Sequence, residues 1–159
     1  MALRKILTDG DPTLRKISKP VEEINGRIIT LLDDMADTLI KAEGVGLSAV
    51  QIGILRRVFI INVGIEEDRV EMMEFINPEI IKKSGNQKEV EGCLSVPGQY
   101  GVTSRPEKVT VRATNRNGET FEYTGTGLFA RCLCHEYDHL DGKLFTDDVI
   151  EMIDPEDLE

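Results

Sequence analysis

The chain has 159 residues, 40 % hydrophobic and 30 % charged, with a formal net charge of −10. That length suits one domain, 1–159, around one core, and the acidic balance speaks against tight nucleic-acid binding, which relies on clustered Lys and Arg. No apolar run approaches the roughly 20 residues that span a bilayer, so no membrane partner is expected.

In chain order, Met1-Ala2-Leu3-Arg4-Lys5-Ile6-Leu7 has two basic residues with no long apolar stretch behind them, so it does not read as a secretory signal. A cytoplasmic location is the resulting expectation. A helix is predicted from Ile24 to Ala42, where Ile28, Leu32, Met35 and Leu39 recur at helical spacing, with Gly44 as its C-cap. Strand-like runs follow at 57–63, 74–81, 109–114 and 120–124, and Asn117-Gly118 is a hairpin turn signal between the last two. A second helix is predicted from about Thr126 to Leu140, stopping near Gly142. Strands gathered between helices, without regular βαβ alternation, predict an α+β fold. Its short antiparallel strands should cluster around the second, His-bearing helix.

That helix carries the strongest local signal, His135-Glu136-Tyr137-Asp138-His139. Histidines at i and i+4 share one helix face, so both imidazoles can reach one metal ion, and the intervening Glu136 is placed to act as a general base. The chain's only two histidines are both here. A catalytic site of this type takes three protein ligands and keeps a position for water.

The third ligand must come from elsewhere in the chain, and the candidates are the cysteines, Cys93, Cys132 and Cys134, an odd set that argues against a disulfide framework. Cys132 lies on the His-bearing face, but seven residues before His139, or roughly 10 Å along the axis, too far for one ion to join both. It reads as a core residue beneath the site. Cys134 points away from that face and reads as a partly exposed bystander. Cys93 sits in Glu91-Gly92-Cys93-Leu94-Ser95-Val96-Pro97-Gly98, where Pro97-Gly98 signals a turn, and it is the better ligand; a buried structural thiol and a nucleophile are the alternatives. A third segment, Gly44-Val45-Gly46-Leu47-Ser48-Ala49-Val50-Gln51, is not a phosphate-binding loop, because no Gly-Lys-Ser/Thr follows. Its Gln51 suits a fixed amide donor, one half of an oxyanion hole.

Together the three segments resemble, in order, the signature motifs of the peptide deformylases: G-x-G-L-(A/S)-A-x-Q, E-G-C-L-S and H-E-x-x-D-H. The last includes Asp138, which a generic HExxH protease does not require. The resemblance runs from Ile6-Leu7 to about Phe145 and departs modestly. Cys134 stands where Gln is usual and Ser48 where Ala is commoner, and an acidic tail, Ile150 to Glu159, ends the chain.

The resemblance implies an enzyme that removes the N-terminal formyl group from formyl-methionyl peptides of newly made proteins and releases formate. It implies Cys93, His135 and His139 as metal ligands with water as the fourth. Glu136 would take a proton from that water, which attacks the formyl carbonyl. Gln51 and the backbone N–H of Leu94 would stabilise the oxyanion. Backbone at Val45, Gly46, Gly92, Gly98 and Tyr100 would hold an extended peptide. The cofactor implied is one divalent ion per chain, Fe(2+) in the cell, with Zn(2+), Ni(2+) or Co(2+) able to occupy the same donors. The implied partners are N-formyl-methionyl nascent peptides near the ribosome, and a monomer is favoured.

Overall fold

The structure is a computed structural model that describes residues 2–158, with the side chain of Leu158 not described; Met1 and Glu159, the ends of the expected 1–159 domain, lie outside the described residues. Helix α1 spans Gly26–Ala42 and α2 spans Leu128–Leu140. The strands are β1 Gly46–Ser48, β2 Val58–Asn62, β3 Met72–Ser84, β4 Gln87–Cys93, β5 Val96–Arg105, β6 Lys108–Thr114, β7 Thr120–Thr126 and β8 Glu151–Ile153. All ladders between them are antiparallel. They form a five-stranded sheet, β1-β2-β3-β6-β7, and a three-stranded sheet, β4-β5-β8. The α+β expectation is met.

Strand β2, Val-Phe-Ile-Ile-Asn, is buried throughout because both faces are covered. Side chains alternate between the faces of a strand. Val58 and Ile60 therefore join Leu32, Met35 and Leu39 of α1 in one core cluster. Phe59 and Ile61 join Ala130, Leu133 and Leu140 of α2 in another, with Phe75, Val109 and Val111. Helix α2 is thus clamped against the large sheet by one face, which leaves its other face to line a cleft.

Helix α1 starts at Gly26, two residues later than expected, because the side chain of Asn25 caps it by accepting from the N–H groups of Arg27 and Ile28. At its end the left-handed residue is Glu43 and not Gly44. Gly44 is needed for space: a Cβ there would lie 2.8 Å from Leu39 Cδ1 and 2.9 Å from Leu94 Cδ1. The turn at Asn117-Gly118 falls between β6 and β7, with Asn115 Oδ1 accepting from the N–H groups of Asn117 and Glu119. Strands β1, β4, β5 and β8 were not expected, and β3 is longer than the run 74–81.

Pro97-Gly98 is not the main turn of its segment. Leu94-Ser95 turns the chain between β4 and β5, while Cys93 pairs with Val96 and Gly92 pairs with Tyr100. One step along β4 therefore spans four along β5, and Pro97, Gly98 and Gln99 bulge out of the ladder.

Leu133 is fully buried where α2 meets the sheet. Leu133→Ala is expected to cost about 3 kcal/mol of unfolding free energy, as for large-to-small changes in a packed core. Urea denaturation checks this, and a cost below about 1 kcal/mol would contradict the packing described.

Candidate metal centre and cleft

Cys93, His135 and His139 each present a ligand atom, all within 4.8 Å of one another. Cys93 Sγ lies 3.4 Å from His139 Nε2, which lies 3.2 Å from His135 Nε2. Bonds of about 2.0–2.3 Å in a tetrahedral arrangement separate ligand atoms by roughly 3.3–3.6 Å, so these two separations suit ligands of one ion, and the three atoms together form a group that could hold it. The two imidazoles come from adjacent turns of α2, and the thiol comes from the last residue of β4 before the Leu94-Ser95 turn.

Cys132 is outside this group. Its sulfur abuts Gly46, where a Cβ would lie 2.8 Å away, and burial pushes its thiol pKa well up. As expected it belongs to the core cluster, and it also forms part of the cleft wall. Cys134 differs from expectation: it is buried, in the same core cluster. The helical angle separated it correctly from the His face, but packing also covers the side of the helix to which it points.

Around the donors lies a hydrogen-bonded support. His135 Nδ1 is 2.5 Å from Glu91 Oε2, so a carboxylate fixes the ring and leaves Nε2 toward the metal position. Arg105 donates to both oxygens of Glu91, and its Nη1 reaches Asp138 Oδ2 at 2.7 Å. Thr103 Oγ1 also donates to Glu91. Burial pushes the Glu91 carboxyl up, but the hydrogen bonds to His135 and Arg105 outweigh it and hold the group at about 2. For His139, burial disfavours the charged ring and favours the neutral imidazole, the form that binding a metal ion would require. Its Nδ1 is buried without a partner among the described residues.

Glu136 has a different environment. Burial raises its pKa above the ordinary carboxyl value, opposed by His135 and the Ser48 hydroxyl. Ser48 Oγ lies 2.8 Å from Glu136 Oε1 and 3.0 Å from the Glu136 carbonyl oxygen. Gly46 lets β1 approach: a Cβ would sit 2.9 Å from Glu136 Oε2.

Gln51 lies in the short 3-10 turn Ala49–Ile52 that follows β1. Its Oε1 accepts from the Ser48 N–H at 2.9 Å, which fixes the amide. The Nε2 end then donates to Ser95 Oγ at 3.0 Å and lies 3.7 Å from Cys93 Sγ. The N-terminal segment ties this turn to the β4–β5 turn, because Leu7 N–H donates to Gln51 O and Asp9 N–H to Ser95 O, both at 2.7 Å.

Cys93, His135, Glu136 and Gln51 line a cleft of about 580 Å³, and His139 is not among its lining residues. Val45, Gly46, Gly92, Leu94, Gly98 and Tyr100, all expected near substrate, line it. Sequence reasoning gave no role to Arg105, Ser95 or Thr103, nor to the cleft-lining Arg131. Glu91 had a signal, its position two residues before Cys93, but Arg105 lies across the hairpin and has none.

A Cys/His/His donor set beside a buried carboxylate, in an antiparallel α+β frame, defines a class: hydrolases that use one bound metal ion. The comparisons narrow it. Residues 3–154 match the polypeptide deformylase family. A peptide deformylase of Acetivibrio thermocellus is 54 % identical over 159 residues, covering 100 % of this chain and 91 % of that protein. The crystal structure of a peptide deformylase from Legionella pneumophila superposes with a TM-score of 0.88 at 50 % identity, covering 92 % of this chain and 86 % of that one. One from Synechococcus elongatus, in complex with actinonin, gives 0.86 at 35 % identity, covering 92 % and 78 %. The chain belongs to the polypeptide deformylase family. The members of that family are metal-dependent enzymes that remove the N-terminal formyl group from formyl-methionyl peptides of newly made proteins.

Glu91→Ala is expected to cost about 3 kcal/mol of unfolding free energy, because it leaves the buried Arg105 guanidinium with Asp138 alone and removes the acceptor of Thr103 and His135. Glu91→Gln, which keeps one acceptor, should cost less. Equal, small losses in thermal melts of the two variants would contradict a structural ion pair.

Proposed function

We propose that this cleft hydrolyses the formyl group of formyl-methionyl nascent peptides, with Cys93, His135 and His139 holding one divalent ion. The observation that carries the reading is the meeting of those three donors beside a buried Glu136 and an oriented Gln51 amide, at the wall of a cleft. An ion held there supplies Lewis acidity, which acidifies water and polarises a carbonyl.

Glu136 takes the proton from the attacking water and later delivers it to the leaving amine. Its raised pKa suits both tasks, since a base and an acid in one cycle work best near the ambient pH. Ser48 holds one carboxylate oxygen, Oε1, and leaves Oε2 for proton traffic. Gln51 Nε2 and the Leu94 N–H stabilise the oxyanion of the tetrahedral intermediate.

The peptide lies extended. Strand β1 is an edge of the large sheet, paired only with β2; the Val45 carbonyl is taken by the Asn62 N–H, and the outer edge at Gly46 is the side offered for strand addition. The residues from Gly98 to Tyr100 border the same cleft, and Tyr100 packs over Gly92. Val45, Leu128 and Cys132 give an apolar wall for the methionine side chain. Main-chain pairing carries little sequence information, which suits an enzyme that meets many nascent chains. Among the described residues no helix is long and apolar enough to cross a membrane. Fe(2+) is the proposed working ion, and the cytoplasm, near the ribosome, the proposed place of action for a monomer; Zn(2+), Ni(2+) and Co(2+) suit the same thiolate and imidazole donors.

Glu136→Ala is expected to keep its metal and lose about 10²–10⁴-fold or more of its turnover of formyl-Met-Ala-Ser. Formate release and metal analysis on one sample check it. Near wild-type turnover would remove Glu136 from the mechanism, and loss of metal would give it a ligand role.

A further inference from the structure

Arg131 lines the cleft one helical turn before His135, and the catalytic steps above do not use it. Its guanidinium is placed by a built clamp. Gln87 Nε2 donates to the carbonyl oxygens of Pro106 and Gly127, at 3.0 and 2.9 Å. That orients Gln87 Oε1 to accept from Arg131 Nη1 at 2.8 Å. Among the described residues Arg131 makes no ion pair, unlike Arg105, which is engaged by Glu91 and Asp138. Of the carboxylates lining the cleft, Glu91 is taken by Arg105, Glu136 is buried against Ser48, and Glu43 is exposed at the end of α1.

We infer that Arg131 is a specificity-determining residue that favours an acidic side chain at the third residue of the formyl-methionyl peptide. The inference rests on the deformylase reading and deepens it. In an extended peptide, side chains one and three point the same way, about 6.6–6.8 Å apart. With methionine against Leu128 and Cys132 of α2, the third side chain also faces α2, within the span of the long Arg131 side chain. The second side chain faces away. The guanidinium has donors left after its bond to Gln87, in a fork that matches a carboxylate.

The test uses the metal-loaded enzyme and formyl-Met-Ala-Asp, formyl-Met-Ala-Ser and formyl-Met-Ala-Lys as C-terminal amides, so that no other carboxylate competes. The kcat/KM ratio of the Asp to the Lys peptide is read within each protein, so a general loss of activity in a variant cancels. The wild-type ratio is expected at about tenfold in low salt, shrinking at high salt. Arg131→Gln should bring it near one, Arg131→Lys should retain part of it, and Gln87→Ala should reduce it. Formyl-Met-Asp-Ala amide should show no Arg131-dependent preference. A wild-type ratio at or below one, or a ratio unchanged in Arg131→Gln, overturns the inference while leaving the deformylase reading intact. Wild-type failure to deformylate any of these peptides overturns that reading and this inference with it.

Discussion

The proposed metal centre requires three donor atoms from two segments of chain, some forty residues apart in sequence, to converge within bonding distance of one point. Much of the architecture can be understood as meeting that constraint. Two of the donors are cheap to align, because a helix places i and i+4 on one face. The third is costly, because Cys93 must be delivered by a different sheet. The β4–β5 hairpin does so with a two-residue turn and a bulge at Pro97, Gly98 and Gln99. The N-terminal segment then straps the turn to the Gln51 segment through Leu7 and Asp9. Helix α2 is in turn held against the large sheet by Leu133 and its neighbours, so the His pair faces the hairpin.

Two buried carboxylates sit beside these three side chains, in opposite environments that suit the two roles proposed for them. Glu91 is met by a guanidinium, an imidazole and a hydroxyl, which hold it ionised and fix it in place. Glu136 meets one hydroxyl and no guanidinium at bonding distance, so burial wins and its affinity for a proton rises. A positioning group should not change protonation during turnover, whereas an acid–base group must. Ser48, which departs from the commoner Ala of the family motif, adds a hydrogen-bonding contact at the proposed base, Glu136.

Sequence legibility followed periodicity and spacing. Helix α1, helix α2 and the buried strand β2 were readable because they are amphipathic or wholly apolar. Strands β4 and β5 were not: Gln-Lys-Glu-Val-Glu-Gly-Cys has one large apolar residue, its strand is largely exposed, and Pro97-Gly98 looks like a turn where it makes a bulge. The Cys93, His135, His139 and Glu136 cluster was legible from the motifs, since each carries its chemistry in local spacing. The network behind it was not, because Glu91, Arg105 and Asp138 lie on three elements and meet only through hairpin register and helix docking. Cys134 shows the limit of angular reasoning, which says where a side chain points but not what lies there.

The central claim is that one thiolate, from Cys93, and two imidazoles hold a single ion. X-ray absorption on protein reconstituted with zinc reads this directly. One sulfur at about 2.3 Å and two imidazole nitrogens at about 2.0–2.1 Å are expected, with the sulfur lost in Cys93→Ala and kept in Cys132→Ala. Two sulfurs per ion, or a sulfur that survives Cys93→Ala and vanishes in Cys132→Ala, would contradict the account.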